Sequence, residues 1–320
     1  MKIGQANKAN STLQFLKKNI SLAAFVILFI LFTFTCNGKF LTQANMLTIC
    51  GSSVDLLMCA LGTTYIIMLG SIDLSTGSML SLCGVVAAKI YFSTNNFPVA
   101  MLGAISVSLT AYFVMGVTYT KMKIPSFIVT LGMLSIARAT VTMISGGTIT
   151  MIPFDSPFKQ FLGMRPWILI VGIIVFIIAW LIERFTLFGR YTRLIGGDET
   201  VARLSGINVS RQKILVFLFA GVMTALGGLI MAARIGSGSP SIGQGYELNV
   251  ISAVVLGGTS FRGGIGGVRG TLIGALTLGM LANGLILWGM PTEVQLLIKG
   301  VILILAVYVS LERTPNMVIK

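Results

Sequence analysis

The sequence predicts an all-α membrane protein, a polytopic transmembrane helical bundle of about ten spans with both termini in the cytoplasm. The 320-residue chain is 55% hydrophobic and only 10% charged, whereas a soluble domain holds about 25% charged residues. Apolar runs long enough to cross a bilayer recur along the chain. The alternating ten-residue segments of a transmembrane β-barrel do not occur in the sequence.

The apolar runs predict the individual spans, because a backbone in hydrocarbon must satisfy its own hydrogen bonds and therefore forms helices. They cover residues 20–35, 47–69, 76–92, 98–119, 124–144, 166–182, 214–233, 248–258, 270–288 and 294–311. The eighth run is short, so it predicts either a full crossing or a re-entrant segment. The predicted membrane domain is 20–313, between a cytoplasmic N-terminal tail at 1–19 and a cytoplasmic C-terminal tail at 314–320.

The distribution of Lys and Arg predicts the orientation. With the N-terminus inside, sixteen of the 23 basic residues lie on the cytoplasmic side and five outside, and Arg138 and Lys299 lie within spans. The longest cytoplasmic loop, about 183–212, contains more of them than any other loop. The net charge of +14 therefore reflects membrane topology. No basic stripe alternates with aromatic residues, so the sequence excludes nucleic-acid binding.

Enzyme chemistry is not expected from this chain, and we predict no catalytic, cofactor or metal site. The sequence has no His, and its four cysteines lie in or beside apolar runs without CxxC spacing. We interpret Cys36, Cys50, Cys59 and Cys83 as small buried hydrophobic residues. The Gly-rich run 257–271 lacks the Gly-Lys-Ser/Thr ending of a phosphate loop, so the chain is not expected to hydrolyse ATP.

The cytoplasmic loop contains the most informative stretch, residues 189–208. After two glycines, Asp198 can cap a short helix whose positive end Glu199 complements. Glu199 and Arg203 are four residues apart and share one face, and Gly206 supplies a left-handed stop. The pattern predicts a helix of about two turns at the membrane surface. It is either a docking element for a soluble partner or part of a solvated loop with one salt bridge.

Polar residues near or within the spans have two interpretations each. Asp73 or Ser75 can cap the third helix, or Asp73 can face a polar cavity, since a charge deep in a bilayer costs roughly 2.5–3.5 kcal/mol. Asn283 makes an interhelical hydrogen bond or contacts a transported solute. A glycine ladder enters the ninth span and packs within the subunit or against another one: Gly266, Gly270 and Gly274.

Four ordered blocks resemble the permeases of ABC importers for ribose, xylose and arabinose. They are Gly-Arg-Tyr through Gly-Gly-Asp-Glu to Ala-Arg-Leu-Ser-Gly-Ile at 189–207, Ile-Pro-Ser-Phe-Ile-Val-Thr-Leu-Gly-Met at 124–133, Gly-Ser-Ile-Asp-Leu-Ser-Thr-Gly-Ser at 70–78, and the segment 246–275. In that family the cytoplasmic loop helix docks on the ATPase. The residues that match it here are Gly196, Gly197, Asp198, Glu199, Ala202, Arg203 and Gly206.

The resemblance implies a permease subunit of a binding-protein-dependent importer in the inner or plasma membrane. Its partners would be a separate ABC ATPase, an extracytoplasmic solute-binding protein, the lipid bilayer and a second permease subunit, as a homodimer or related heterodimer. The substrate would be a monosaccharide or a related small polyol, and Asp73, Ser75 and Asn283 are the candidate pathway residues. The alternative is an ion-coupled secondary transporter, for which the acidic candidates near span cores are Asp55 and Asp73.

Overall fold

The computed structural model describes residues 20–310, and the predicted tails at 1–19 and 314–320 lie outside these residues. Within them the regular secondary structure is helical except for one short antiparallel ladder, and turns and loops connect these elements. The helices are α1 (Ile20–Thr35), α2 (Gln43–Ser52), α3 (Val54–Met68), α4 (Thr76–Thr94), α5 (Phe97–Lys121), α6 (Ser126–Ser145), α7 (Pro157–Gly163), α8 (Trp167–Phe185), α9 (Leu187–Gly197), α10 (Glu199–Leu204), α11 (Val209–Ile235), α12 (Tyr246–Leu256), α13 (Val268–Leu287) and α14 (Thr292–Ser310). The strands are β1 (Thr150–Met151) and β2 (Ser237–Gly238).

Seven helical segments of the described chain are long and apolar enough to cross a membrane. They are α2 with α3, then α4, α5, α6, α8, α11 and α13, and they coincide with seven of the predicted runs. Helices α1 and α12 are apolar but shorter, and α14 is not among the seven. The helical membrane fold is therefore confirmed, whereas a total of about ten crossings and the location of the termini stay predictions.

Helix α11, with 27 residues, is the axis of the bundle. It packs against α3, α4 and α5, and small residues bring these backbones together. A Cβ added at Gly62 would lie 2.8 Å from the Cα of Ala220, and Gly84 packs against Gly228. Helix association in lipid depends on close packing, because lipid tails are as apolar as the side chains.

Helix α4 begins inside the bundle, after a non-helical segment at 70–75. The backbone of this segment is satisfied by side chains from α6. The N–H of Ile72 donates to Ser126 Oγ at 3.2 Å, and the N–H of Leu74 donates to Thr130 Oγ1 at 3.2 Å. Such partners are what allow a helix break at membrane depth.

A second break precedes α12. Residues 236–245 run back along α4, so that Gly238 packs against Ala88 and Gly243 against Gly77. The distance from Ala88 to Gly77 is about 16 Å along a helix, so this segment reaches well into the bundle. Helix α12 starts there, and its 11 residues do not span a hydrocarbon core about 30 Å thick. This arrangement agrees with the re-entrant alternative for the eighth run.

The connecting loops lie at two opposite ends of the bundle. At one end Met68, Gly196 and Gly264 meet, and the N–H of Gly264 donates to the carbonyl of Met68 at 2.8 Å. At the other end β1 pairs with β2, in the register Thr150 to Gly238 and Met151 to Ser237. The first end holds the longest predicted cytoplasmic loop, 183–212, and the Gly-rich segment 257–270.

The glycine ladder packs within the subunit, one of its two predicted alternatives, because Gly270 lies against Gly257 and Gly274 against Ala253. Cys36, Cys59 and Cys83 are buried as predicted, but the prediction is wrong for Cys50, which is exposed. Cys50 lines an apolar crevice of about 260 Å³ between α2, α3, α8 and α13. A thiol is only weakly polar and is tolerated in such an environment.

Candidate functional site

The predicted surface helix is present as α10, in the loop between α8 and α11. Asp198 Oδ1 accepts hydrogen bonds from two backbone N–H groups of the first turn, at 2.8 and 3.0 Å. Arg203 Nη2 lies 2.8 Å from Glu199 Oε1. Gly206 follows the helix with a φ of +83°. The cap, the charge pair and the glycine stop predicted from the sequence are confirmed as local structure.

The two glycines before the cap differ in their surroundings. A Cβ at Gly196 would overlap the carbonyl oxygen of Met68 and would lie 2.5 Å from the N of Gly264, whereas Gly197 has no neighbour within 4 Å. Gly196 therefore brings the end of α9 against the end of α3 and the Gly-rich segment. Ala202, on the inner side of α10, is buried.

The residue that attaches α10 to the bundle, Lys213, was not predicted from the sequence. Lys213 Nζ lies 2.7 Å from Glu199 Oε2 and 4.5 Å from the ring centroid of Tyr119. Lys213 belongs to α11 and is 9% exposed, and Tyr119 belongs to α5. The available signal was a lysine at the border of a polar loop and an apolar run, which the sequence alone assigns to the positive-inside bias.

The Lys213 ammonium holds the pKa of the Glu199 carboxyl below its usual value of 4.5, first by hydrogen bonding and then by charge attraction, and Arg203 lowers it further. The carboxylate is therefore ionised at neutral pH. Both ion pairs are present under the conditions in which the protein works.

The outer side of α10 faces away from the bundle and exposes apolar side chains. Val201 is 57% exposed and Leu204 is 83% exposed. Exposed apolar side chains next to charged ones mark surfaces that other proteins bind. The helix is thus fixed to the bundle through Glu199 and Ala202 and carries an apolar face on its other side.

A polar cluster inside the bundle surrounds Asp73, which is 1% exposed. Asp73 Oδ1 accepts from the N–H and the Oγ–H of Ser75 at 2.8 and 2.6 Å, and Oδ2 accepts from Thr76 Oγ1 at 3.0 Å and from Tyr112 Oη at 2.7 Å. Tyr112 also bonds Thr224 at 3.0 Å. The carboxylate lies at the N-terminus of α4, where the helix dipole favours a negative charge, and it accepts from the N–H of the N-cap residue Ser75. The Ser75 side chain makes no capping hydrogen bond, so of the two predicted caps only Asp73 is placed to act as one.

A second interior cluster was not predicted as a unit. Asp55, 1% exposed, pairs with Arg234 through Oδ1 and Nε at 3.2 Å, and its Oδ2 accepts from Tyr246 Oη at 2.7 Å. These residues join α3, the end of α11 and the start of α12. An acidic residue in a span requires such a partner, but the partner is 179 positions away and no local pattern identifies it.

Arg138 of α6 donates to the carbonyls of Pro240, Ile242 and Gly243 at 3.0–3.3 Å. Backbone carbonyls thus satisfy the guanidinium that the sequence places within a span, and these hydrogen bonds hold the segment before α12 in place. The Glu247 carboxylate lies against Gly77, so the N-termini of α4 and α12 meet inside the bundle with an acidic side chain at each.

The third candidate pathway residue, Asn283, makes the interhelical hydrogen bond that its first interpretation predicts. Its amide exchanges two hydrogen bonds with Asn45 of α2, at 2.9 and 3.0 Å. Asp73 and Ser75 lie together and Asn283 lies in a different contact, so these three residues do not form one site within the subunit. No group of three or more His, Cys, Asp or Glu side chains assembles a metal site in residues 20–310.

Comparison with known proteins finds similarity over nearly the whole chain. A family model described as the permease component of a branched-chain amino acid transport system matches residues 45–307. The chain is 39% identical over 308 residues to the ribose import permease protein RbsC of Escherichia coli K12, which covers 93% of this chain and 95% of that protein. It is 33% identical over 311 residues to the L-arabinose ABC transporter permease protein AraH of Azospirillum brasilense, with 95% and 91% covered. It is also 32% identical over 361 residues to the xylose transport system permease protein XylH of Escherichia coli K12, with 91% of each covered.

Proposed function

The chain belongs to the permease-component family that includes the ribose, arabinose and xylose permeases, and we propose that it forms the translocation pathway of an ATP-driven importer for a monosaccharide or related small polyol. It is a multi-pass membrane protein and a transport subunit, and ATP hydrolysis resides on a separate chain. An extracytoplasmic binding protein delivers the solute, and a second permease subunit, identical or related, completes the pathway.

The observation that carries this proposal is the architecture of α10. Its apolar side, Val201 and Leu204, faces away from the bundle, while Glu199 is tied to Lys213. An ATPase that binds the apolar side therefore pulls on a helix whose other side is attached to α11. Two exposed apolar side chains on one short cytoplasmic helix favour a docking surface over a loop that only water surrounds.

Movement of α10 reaches the pathway through α11. Lys213 connects α10 to α11 and contacts Tyr119 of α5, and α11 packs on α3 and α4, which flank the break at 70–75. Closure of the ATPase then favours one facing of the bundle over the other, because it makes different contacts with α10 in the two states. Asp73, Ser75 and Asn283 stay our candidates for contact with the solute during this change.

Uptake into proteoliposomes tests the proposal. The chain, reconstituted with the ATPase and binding protein encoded beside it, is assayed for uptake of ribose, arabinose, xylose and leucine with all ion gradients collapsed. We expect ATP-dependent uptake of a monosaccharide. Uptake that follows an imposed proton or sodium gradient and ignores ATP would instead support the secondary transporter, and uptake of leucine alone would contradict the sugar assignment.

The docking surface is tested by placing a charge on it. Val201→Asp with Leu204→Asp should reduce binding of the ATPase at least about tenfold, since a buried apolar contact of this size is worth a few kcal/mol. Met151→Asp, an equally exposed apolar residue at the other end of the bundle, is the matched control. Equal ATPase binding by the docking variant and the control would exclude α10 as the contact.

A further inference from the structure

An arginine-lined cavity lies at the α10 end of the bundle and has no role in the coupling proposal. It has a volume of about 590 Å³ and is enclosed by the end of α8, the start of α9 and the Gly-rich segment before α13. Four guanidinium groups line it: Arg184, Arg190, Arg193 and Arg269. We call these residues with Trp180 and Glu183 the arginine cavity. Its size is within the roughly 300–1,000 Å³ of small-molecule sites.

The positive charge of the arginine cavity is mostly uncompensated within the chain. Glu183 is its one acidic residue in the described structure, and both of its oxygens are occupied, by Arg193 at 2.6 Å and by the N–H of Val268 at 2.9 Å. Among residues 20–310, Arg184, Arg190 and Arg269 have no carboxylate partner. Three charges thus line one concave site without a counter-charge.

The depth of the arginine cavity matches the headgroup layer of a bilayer. Helix α8 has 19 residues and is about 28 Å long, close to the thickness of the hydrocarbon core. Its last residues therefore lie where lipid phosphates lie. Trp180, which packs under Arg269 at 4.8 Å, is about 7 Å before the helix end, a position typical of the aromatic belt.

The cavity also adjoins a surface that faces lipid. Helix α8 exposes a continuous apolar side along its length: Ile173, Ile174, Ile177, Ile178 and Leu181. A molecule that occupies the arginine cavity can lay an acyl chain along this side. Because a guanidinium fork matches the oxygens of a phosphate group, the ligand chemistry is that of a phosphate ester attached to apolar chains.

We propose that the arginine cavity binds the phosphate headgroup of an anionic phospholipid from the leaflet on the α10 side. The Gly-rich segment contributes because Gly257, Gly266, Gly267 and Gly270 let the headgroup approach the backbone. Soluble phosphate has the same oxygens, but it does not use the apolar side of α8. The site rests on the membrane location of the chain and is independent of the coupling proposal.

Native mass spectrometry of the intact chain tests this site. The protein is taken from bilayers that contain equal amounts of phosphatidylglycerol and phosphatidylcholine, and the bound lipids are counted. We expect wild-type protein to retain phosphatidylglycerol about tenfold over phosphatidylcholine. Arg190→Gln with Arg269→Gln should remove this preference. Lys121→Gln with Arg211→Gln, which removes two exposed charges at the same end outside the cavity, should leave it unchanged.

Two results would overturn the proposal. The first is an equal lipid preference in the cavity variant and wild type; if the variant has also lost binding of the ATPase, the arginines belong to the surface for that partner. The second is release of the lipid by millimolar inorganic phosphate, which would identify a soluble anion as the ligand. If the double variant does not fold, Arg190→Gln alone is judged by the same criteria, with an expected loss of about threefold.

Discussion

The carboxylate of Glu199 is shared by two cations that differ in their surroundings. The Arg203 side chain is 68% exposed and lies on the same short helix, whereas Lys213 is buried and belongs to a membrane helix. An exposed i, i+4 pair contributes only about 0.3–0.5 kcal/mol. We therefore predict that Lys213 transmits movement of α10 to the bundle, and that Arg203 mainly stabilises the helix itself.

Lys213→Met is predicted to weaken coupling between the ATPase and the helical bundle without reducing binding of the ATPase. Because Glu199 is 42% exposed, its pair with Lys213 is worth about 1 kcal/mol, between an exposed pair and a buried charged hydrogen bond. We expect ATP hydrolysis stimulated by the binding protein to fall about fivefold, with ATPase binding within twofold of wild type. Lys121→Met, a nearby exposed lysine, should have no effect, and an equal fall in both variants would show that charge alone is responsible.

Asp73→Asn is predicted to destabilise the protein. An amide keeps one acceptor, so some of the four donors around Asp73 lose their partner, at a cost of about 1–3 kcal/mol. The measurement is denaturant unfolding in detergent, with exposed Asp155→Asn as a control that should stay within about 0.5 kcal/mol. Normal stability with reduced uptake would argue for the pathway role of Asp73 over its capping role.

Residue-level prediction from the sequence succeeded where the partners are close in the chain. Asp198, Glu199, Arg203 and Gly206 act within nine positions, and caps and i, i+4 pairs follow from local geometry. Lys213 and the Asp55 cluster depend on how helices pack, which no local pattern contains. A lysine beside an apolar run is also what the positive-inside bias produces. Residue type alone therefore did not identify these contacts.

At the scale of elements, the attachment of α10 is predicted to depend on pH. The pKa of Glu199 is lowered in the folded state, so its ion pairs stabilise the protein fully above about 4.5 and this stability is lost as the pH falls through the lowered value. We expect Glu199→Gln to be less stable than wild type at pH 7, and the difference to vanish on acidification. Unfolding midpoints of both proteins between about pH 3 and 7 provide the measurement.

Asp155→Asn is the control for that titration, because Asp155 is exposed, lies outside the helices and has no ion pair within residues 20–310. It should not differ from wild type at any pH in the range. If the difference in unfolding midpoint between wild type and Glu199→Gln increases on acidification, the prediction is wrong, because a carboxylate with a lowered pKa loses its stabilising effect as the pH falls.

Packing of α12 on α13 is predicted to depend on Gly274. A Cβ at this position would overlap the backbone carbonyl of Ala253, so Gly274→Ala should cost about 1–3 kcal/mol by overpacking. Gly132→Ala has no atom within 4 Å of the new Cβ and should gain about 0.5–1 kcal/mol from helix propensity. Thermal unfolding in detergent distinguishes the two variants. Similar midpoints for both would contradict the tight contact between Gly274 and Ala253.

The long spans were predictable because length and apolarity fix them, but the breaks were only partly so. The segment 236–245 contains Gly, Ser and Pro and looks like an exposed loop in the sequence. In the structure Arg138 and α4 hold it inside the bundle. The signal that was available is the combination of a polar segment with an apolar run of 11 residues, too short to cross.

For the whole molecule, the two ends are predicted to face opposite sides of the membrane, because α8 is the one long apolar helix between Met151 and Leu204. Both residues are exposed, at 70% and 83%. In a chain whose four cysteines are replaced, Leu204→Cys should react with an impermeant maleimide only from the cytoplasmic side. Met151→Cys should react only from outside. Reaction of both from one side would contradict the orientation.

The composition and charge bias predicted a helical membrane protein, and the ordered blocks predicted its family. The number of crossings could not be obtained, because runs of intermediate length, such as α1 and α12, do not reveal whether they cross. Their depth depends on contacts with other helices, which form only when the bundle assembles.

The pair of Asp55 with Arg234 has a consequence for biosynthesis. The arginine is made 179 residues after the aspartate, a delay of roughly 10–35 s at about 5–20 residues per second. During that interval the carboxyl group has no counter-ion in the nascent chain, and its transfer into lipid costs about 2.5–3.5 kcal/mol. Stable insertion of α3 into the lipid is therefore expected only after the ribosome has delivered α11.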